Sequence, residues 1–177
     1  MNIKVVHSLM LAAMLISGST LAAPVSNGGI IHFTGTVVEE PCVITQNTAD
    51  QIVDLGSVAS RELAAKNDIS IKVPFNIILE KCDTTTIKSA TFAFTGVSSP
   101  YEVTALLNNG DADKVGVQIT DASGAIVPLN ATPTAYSLAL TAGSQNIAKF
   151  TAHMIATGTG VTAGSVDTQV TFKIAYS

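Results

Sequence analysis

Hydrophobic and polar positions alternate with period two along most of this chain, the pattern of strands that bury one face. Near the front, Gly29, Ile31, Phe33, Gly35 and Val37 share one parity, while the residues between them are mixed and more polar. Ile71, Val73, Phe75, Ile77 and Leu79 repeat the pattern before Cys82, and Phe92 and Phe94 do so further on. Val115, Val117 and Ile119 form another stripe, followed by the Gly-containing turn "DASG". "AYSLALTAG", "NIAKFTAHMIATG" and "DTQVTFKIAYS" complete the set, punctuated by "NNGD", "TAGS" and "TGTG". Many short strands with polar, Gly-bearing turns predict an all-β chain, a sandwich of immunoglobulin type. The exception is "LGSVASRELAAKNDIS", which does not alternate and predicts a short helical turn around "SRELAAK" capped by Ser60.

The last strand has the most regular pattern. Val166, Thr168, Val170, Phe172, Ile174 and Tyr176 share one parity up to the penultimate residue. A chain end is ordinarily loosely held, so such a stripe reads as a core strand or a docking edge. An alternating apolar segment therefore stands near each end of the chain. Alternation alone would pair the front segment, residues 29–37, within its own domain.

Residues 1–22 read as a secretory signal peptide. "MNIK" is the positive start, "VVHSLMLAAMLISGSTL" the apolar run, and "TLAAP" the small-residue site, with cleavage expected after Ala22. The run falls short of the roughly 20 residues that a helix needs to cross a membrane, which disfavours an uncleaved anchor. Residues 23–177 are then of single-domain size. Charged residues make up only 12% and the net charge is −4. Loss of Lys4 makes the exported part more acidic, so nucleic acid and anionic lipid are not expected partners. Cys42 and Cys82 are the only cysteines, and an even pair behind an export signal reads as one disulfide. A metal or redox pair is disfavoured, because the two are far apart and no His accompanies them.

Candidate chemistry is thin. His32 lies on the polar parity of the front strand, and His153 stands alone in a strand pattern. Asp111–Asp113 lacks the turn Gly and terminal Glu of a calcium loop. No Gly-x-Ser-x-Gly elbow is present. Glu39 and Glu40 have no apolar neighbours to raise a carboxyl pKa. "NAT" at Asn130 is a glycosylation sequon of consequence only on a eukaryotic route. With no Trp and 5% aromatics, a sugar-stacking platform is unsupported. No catalytic residue, metal site or cofactor is expected.

Five stretches taken together resemble the major structural subunits of type 1 fimbriae in the chaperone–usher pilin family. They are "NGGIIHFTGTVVEEPC", "VDLGSV", "FNIILEKCDT", "VGVQITDASGAIVPLN" and the ending "ATGTGVTAGSVDTQVTFKIAYS". Their order and spacing are specific where each alone is not. The Cys42–Cys82 separation fits, as do Gly164, fourteenth from the end, and the penultimate Tyr176. The resemblance implies an incomplete immunoglobulin-like sandwich, lacking its final strand and completed by a donor strand in trans. It makes residues 23–38 a donor extension, with Gly29, Ile31, Phe33, Gly35 and Val37 as its inserting face, and residues 39–177 the pilin body. The acceptor edge would run through Gly164, Val166, Thr168, Val170, Phe172, Ile174 and Tyr176. Implied partners are a periplasmic chaperone, an outer-membrane usher, and copies of this chain or other pilins in a head-to-tail fibre. The implied route leads through the periplasm to a fimbria on the cell surface, supporting adhesion or biofilm formation. The alternatives are a minor or adaptor subunit and, further off, a sugar-binding adhesin, which in this family carries a second, lectin domain.

Overall fold

The alternating stretches become strands in a computed structural model that describes residues 29–35, 41–133 and 136–177. The elements are β1 (Val43–Ile44), β2 (Val73–Glu80), β3 (Ser89–Thr95), β4 (Ala105–Leu107), β5 (Val115–Asp121), β6 (Tyr136–Ala139), β7 (Asn146–Ala156) and β8 (Thr171–Tyr176). They form a five-stranded sheet in the order β1-β2-β7-β5-β4 and a three-stranded sheet in the order β6-β3-β8. All the strand pairs are antiparallel. The chain divides into two units, Met1–Val37 and Val38–Ser177, and the sandwich lies in the second.

One parity of each strand supplies the core. Ile77 and Leu79 of β2, Phe92 and Phe94 of β3, Val117 and Ile119 of β5, and Ala148, Phe150 and Ala152 of β7 are all buried in one cluster. Phe150 is its centre. Its ring lies 5.1 Å from those of Phe94 and Tyr136 and 5.6 Å from those of Phe75 and Phe92. Offset and edge-to-face arrangements of this kind favour aromatic pairs beyond the area they bury. Tyr136 and Phe92 come from the three-stranded sheet and Phe75 from the five-stranded one, so these rings join the two layers. A smaller buried cluster of Leu63, Ala112, Val115, Met154 and Ala156 lies beside it.

The non-alternating stretch does turn, as a 3-10 helix at Ser60–Leu63. Ser60 is not its cap. Ala59 occupies the flanking extended position, no side chain caps the turn, and Ser60 is its first residue. The turn is held by its packing: Leu63 is buried in the smaller cluster. A four-residue α-helix at Gln46–Ala49 was not legible from the pattern. "DASG" is the expected turn. The Asp121 carboxylate accepts from Ser123 N at 2.8 Å, Ser123 Oγ at 2.6 Å and Ala125 N at 3.0 Å. The Ser123 hydroxyl above all, despite some desolvation, holds that carboxyl below its ordinary range.

Cys42 and Cys82 form the disulfide, with Cα atoms 4.1 Å apart. It ties the start of β1 to the end of β2, and its sulfur meets Asn146 Nδ2 at 3.5 Å. The same amide donates to Thr141 O at 3.1 Å and Ser144 O at 3.2 Å, so the crosslink and the β6–β7 turn share a buried anchor.

Two stability outcomes follow. Replacing both Cys42 and Cys82 by Ser should lower unfolding free energy in urea by about 4 kcal/mol, the chain-entropy figure for a loop of this size. Reductant should produce the same loss in the unaltered chain, and an unchanged midpoint in either experiment contradicts it. Phe150→Ala should cost roughly 3–5 kcal/mol, against about 0.5 kcal/mol or less for an exposed substitution such as Lys149→Ala.

Candidate functional site

The last strand begins later than its stripe. β8 starts at Thr171, in register with Thr95, the last residue of β3. Beyond Thr95 the chain leaves the three-stranded sheet: Val97 O accepts from Leu107 N at 2.8 Å, and Ser98 bridges to Leu106. Residues 161–170 therefore run on without β3 beside them. On one side they are held by the 108–113 loop instead. Ala112 N donates to Ser165 O at 3.1 Å, Asn109 N donates to Asp167 O at 2.8 Å, and Asp167 N donates to Asn108 Oδ1 at 2.8 Å.

This fixes the other side. In extended chain, backbone groups of successive residues point to opposite edges. With Ser165 and Asp167 turned to the loop, the N–H and C=O of Val166 and Thr168 are turned away from it. β8 follows the same parity: Ser177 exchanges both backbone bonds with Ser89 of β3. Phe172 and Ile174 thus aim theirs at the edge away from β3, where β8 has no neighbouring strand among the described residues. The same even-numbered residues turn their side chains inward. Val166, Thr168, Val170, Phe172, Ile174 and Tyr176 are all half-buried, while Asp167, Gln169, Thr171 and Lys173 between them are exposed.

Opposite residues 161–168 runs a second segment outside every strand, residues 51–58, which turns at Gly56. Val53, Leu55 and Val58 are half-buried, whereas Ile52 is 98% exposed. An open groove of about 900 Å³ separates the two segments. Its lining includes Leu63, Val115, Val117 and Met154, which belong to the buried clusters. These side chains form its floor and are themselves at most 5% exposed, so the groove skirts chiefly the smaller cluster.

Two glycines set the groove's end. A Cβ on Gly164 would lie 2.4 Å from Ala112 N, and one on Gly110 would lie 2.3 Å from Ser165 O. No side chain fits at either place, so the 108–113 loop and the 161–168 segment touch backbone to backbone. Asp111 and Ser165 fasten the contact, Asp111 N and Ser165 Oγ lying 3.0 Å apart. Gly164 was expected at this edge from the resemblance. Gly110 was missed, being read only as part of a turn in "NNGD". A glycine so close to a second distant glycine carries no local signal.

The front segment stands by itself. Residues 29–35 form no strand and all are exposed. Ile31 is 76% and Phe33 90% exposed, and nothing lies within 4 Å of where a Cβ would stand on Gly29 or Gly35. Val37 lies outside the described residues, as do the signal segment, Thr36 and residues 38–40. Among the described residues no three His, Cys, Asp or Glu side chains gather to hold a metal. The Asn130 amide is engaged with the backbone of Gly96, donating at 3.0 Å and accepting at 3.1 Å. The groove is apolar below and bordered by backbone, suited to an extended peptide rather than to a reaction.

Comparison with known proteins agrees with this geometry. A model of the fimbrial protein family matches residues 31–177. A probable major fimbrial subunit, LpfA, of Escherichia coli O157:H7 is 36% identical over 98% of this chain and 96% of its own. The type-1 fimbrial protein C chain of Escherichia coli is 37% identical over 99% of both. Among solved structures, a chain of a chaperone–usher pilus superposes with a TM-score of 0.72 at 27% identity, covering 88% of this chain and 100% of that one. The incomplete immunoglobulin-like sandwich expected from the sequence is the fold observed, and the chain belongs to the fimbrial protein family.

Proposed function

We propose that this chain is a structural subunit of a surface fimbria that polymerises by lending its front segment to a neighbour. Residues 1–22 are removed on export, residues 23–38 act as the donor extension, and residues 39–177 form the body. Ile31, Phe33 and Val37 enter the next copy's groove, with Gly29 at the margin and Gly35 where the floor is shallow. The observation that carries this reading is the open groove between residues 51–58 and 161–168, continued by the outer edge of β8, which has no neighbouring strand among the described residues.

The energetics favour occupation from outside. An unpaired edge over wet apolar surface invites aggregation. A strand added there matches the backbone groups of Val166, Thr168, Phe172 and Ile174 and covers the half-buried Leu55, Val58, Val161 and Val166, the strand-addition mode of recognition. Burying Ile31, Phe33 and Val37 contributes about 1.5–3 kcal/mol each, and each new ladder hydrogen bond about 1 kcal/mol net. The donor and the groove are different surfaces, so the contact is head-to-tail and an open filament results.

Before assembly the same edge needs cover, which is the role assigned to a periplasmic chaperone, with an outer-membrane usher at the exit. The relatives' descriptions as fimbrial subunits, one of them a probable major subunit, favour a shaft component over an adaptor. The fibre serves adhesion or biofilm formation. As a family of fibre subunits the relatives are not enzymes, and nothing in the groove calls for catalysis.

Two variants separate the two halves of the proposal. Phe33→Asp should stop a copy from donating while its groove still takes up a synthetic 29–37 peptide, measured by gel filtration and fluorescence polarisation. Thr168→Pro removes an N–H turned to the groove. It should lower peptide uptake about tenfold or more, the loss of roughly one hydrogen bond with added edge disruption, while leaving donation intact. Fibres of ordinary length from Phe33→Asp alone, or unchanged uptake by Thr168→Pro, would overturn the assignment.

A further inference from the structure

On the face of the five-stranded sheet turned away from the core, a buried histidine is wired to a surface loop. His153 of β7 is 1% exposed although its parity points outward, away from Phe150 and Ala152. The 99–104 loop between Ser98 and β4 is tied to it by side chains, and residues 67–70 run along the same strand, with Ser70 N donating to Met154 O at 2.9 Å and Ile69 bridging to Ile155. The link runs through side chains in one direction of donation. His153 Nε2 donates to Gln118 Oε1 at 3.2 Å, Gln118 Nε2 donates to Thr104 Oγ1 at 2.8 Å, and Thr104 Oγ1 donates to Glu102 Oε1 at 2.7 Å. Because a Gln oxygen only accepts, Nε2 must carry the proton of the neutral ring. The other ring nitrogen, Nδ1, is buried with no hydrogen-bond partner among the described residues.

Nε2 keeps its hydrogen and its bond to Gln118 in both protonation states, and it is the burial of Nδ1 that favours the neutral ring. A proton added at Nδ1 would place a charge and an unmatched donor in a dry site, at a cost larger than one ordinary hydrogen bond. Neighbouring charges do not relieve it. On the β5 side the residue in register is the neutral Gln118. On the β2 side the ladder ends at Val73 opposite Ala152, and the next residue back is the cation Lys72. The relay's own carboxylate, Glu102, sits three hydrogen bonds away at its far end, and Lys66, whose Nζ donates to Tyr101 O at 3.1 Å, favours its ionised form. Burial first, then Lys72, holds the imidazole below the usual histidine range.

We propose that the 99–104 loop is an acid-released latch: closure, tied to His153 through Gln118 and Thr104, keeps the unpartnered Nδ1 dry, and a proton added there favours the open loop while the sandwich stays folded. The sign follows from linkage. The closed form binds the proton less readily than the open one, so closure is fully stable above the ordinary histidine range. It weakens as pH falls from about 6.5 toward the depressed closed-state value. The loop is the element that yields because few bonds hold it. Beyond the relay these include Lys66 Nζ to Tyr101 O and Ser99 N to Ala105 O at 2.8 Å, and Tyr101 and Val103 are already 65% and 71% exposed. The sheet beneath is held by the full β2–β7 and β5–β7 ladders. This inference is independent of strand donation.

Amide hydrogen exchange on the full exported chain, corrected for intrinsic rates, tests it, with ¹⁵N shifts of His153 recorded over the same pH range. Between about pH 7.5 and pH 4.5, protection of residues 101–104 should fall about tenfold or more, the ratio that one pKa unit represents. Protection of β2 and β7 amides should change less than about twofold over that range. Thr104→Val should give the low loop value at both pH values, and His153→Gln, which can still donate to Gln118, the high value at both. Loop protection that does not change, that falls only together with β2 and β7, or that is lost while His153 stays neutral overturns the proposal. If His153→Gln does not fold, the His153 titration and Thr104→Val decide.

Discussion

The rest of the structure depends on one constraint: among the described residues, a backbone edge without a neighbouring strand runs beside a groove whose apolar rim is half-buried. Strand parity makes the two deficits coincide. The residues of the 166–176 stripe whose side chains reach inward are the ones whose N–H and C=O groups face the empty side. A strand laid into the gap satisfies both at once, and a loose apolar ligand would satisfy only one. Extended polypeptide with alternating side chains meets that requirement, and residues 29–37 of a neighbouring copy are the segment proposed for it.

The body tolerates such a gap because its main supports lie elsewhere. The Phe150 cluster joins the two sheets through β2, β3, β6 and β7, and the disulfide fastens β1 to β2. The groove opens instead onto the smaller cluster around Leu63, Val115 and Met154. That division of labour lets the fold exist with an incomplete wall while leaving apolar surface for a partner to cover. At the groove's end the walls are rigid where it matters, since Gly110 and Gly164 bring two loops together at backbone distance.

Local periodicity made most of this legible. The six inward residues from Val166 to Tyr176, the buried parity of β2, β5 and β7, and the Cys42–Cys82 link were readable, because period two and export chemistry are written in neighbouring residues. What was not readable is long-range. Nothing near Ser98 announces that the chain crosses between sheets there, so the late start of β8 was not foreseen. Ser60 looked like a cap, but the turn is held by Leu63, whose burial depends on distant Val115 and Met154. The stretch from Leu55 to Ser70 showed no clean alternation, and its place beside the groove depends on residues 161–168, far along the chain. His153 read as an ordinary strand residue; its link to Glu102 passes through two other segments and leaves no motif.

The central claim is tested most directly by a high-resolution cryo-EM map of filaments assembled from this chain. The account predicts residues 29–37 of one copy as a continuous strand between residues 51–58 and 161–176 of the next, with Ile31, Phe33 and Val37 directed at its core. A map in which the groove is filled by its own chain, or stands empty while residues 29–37 pack elsewhere, would contradict it.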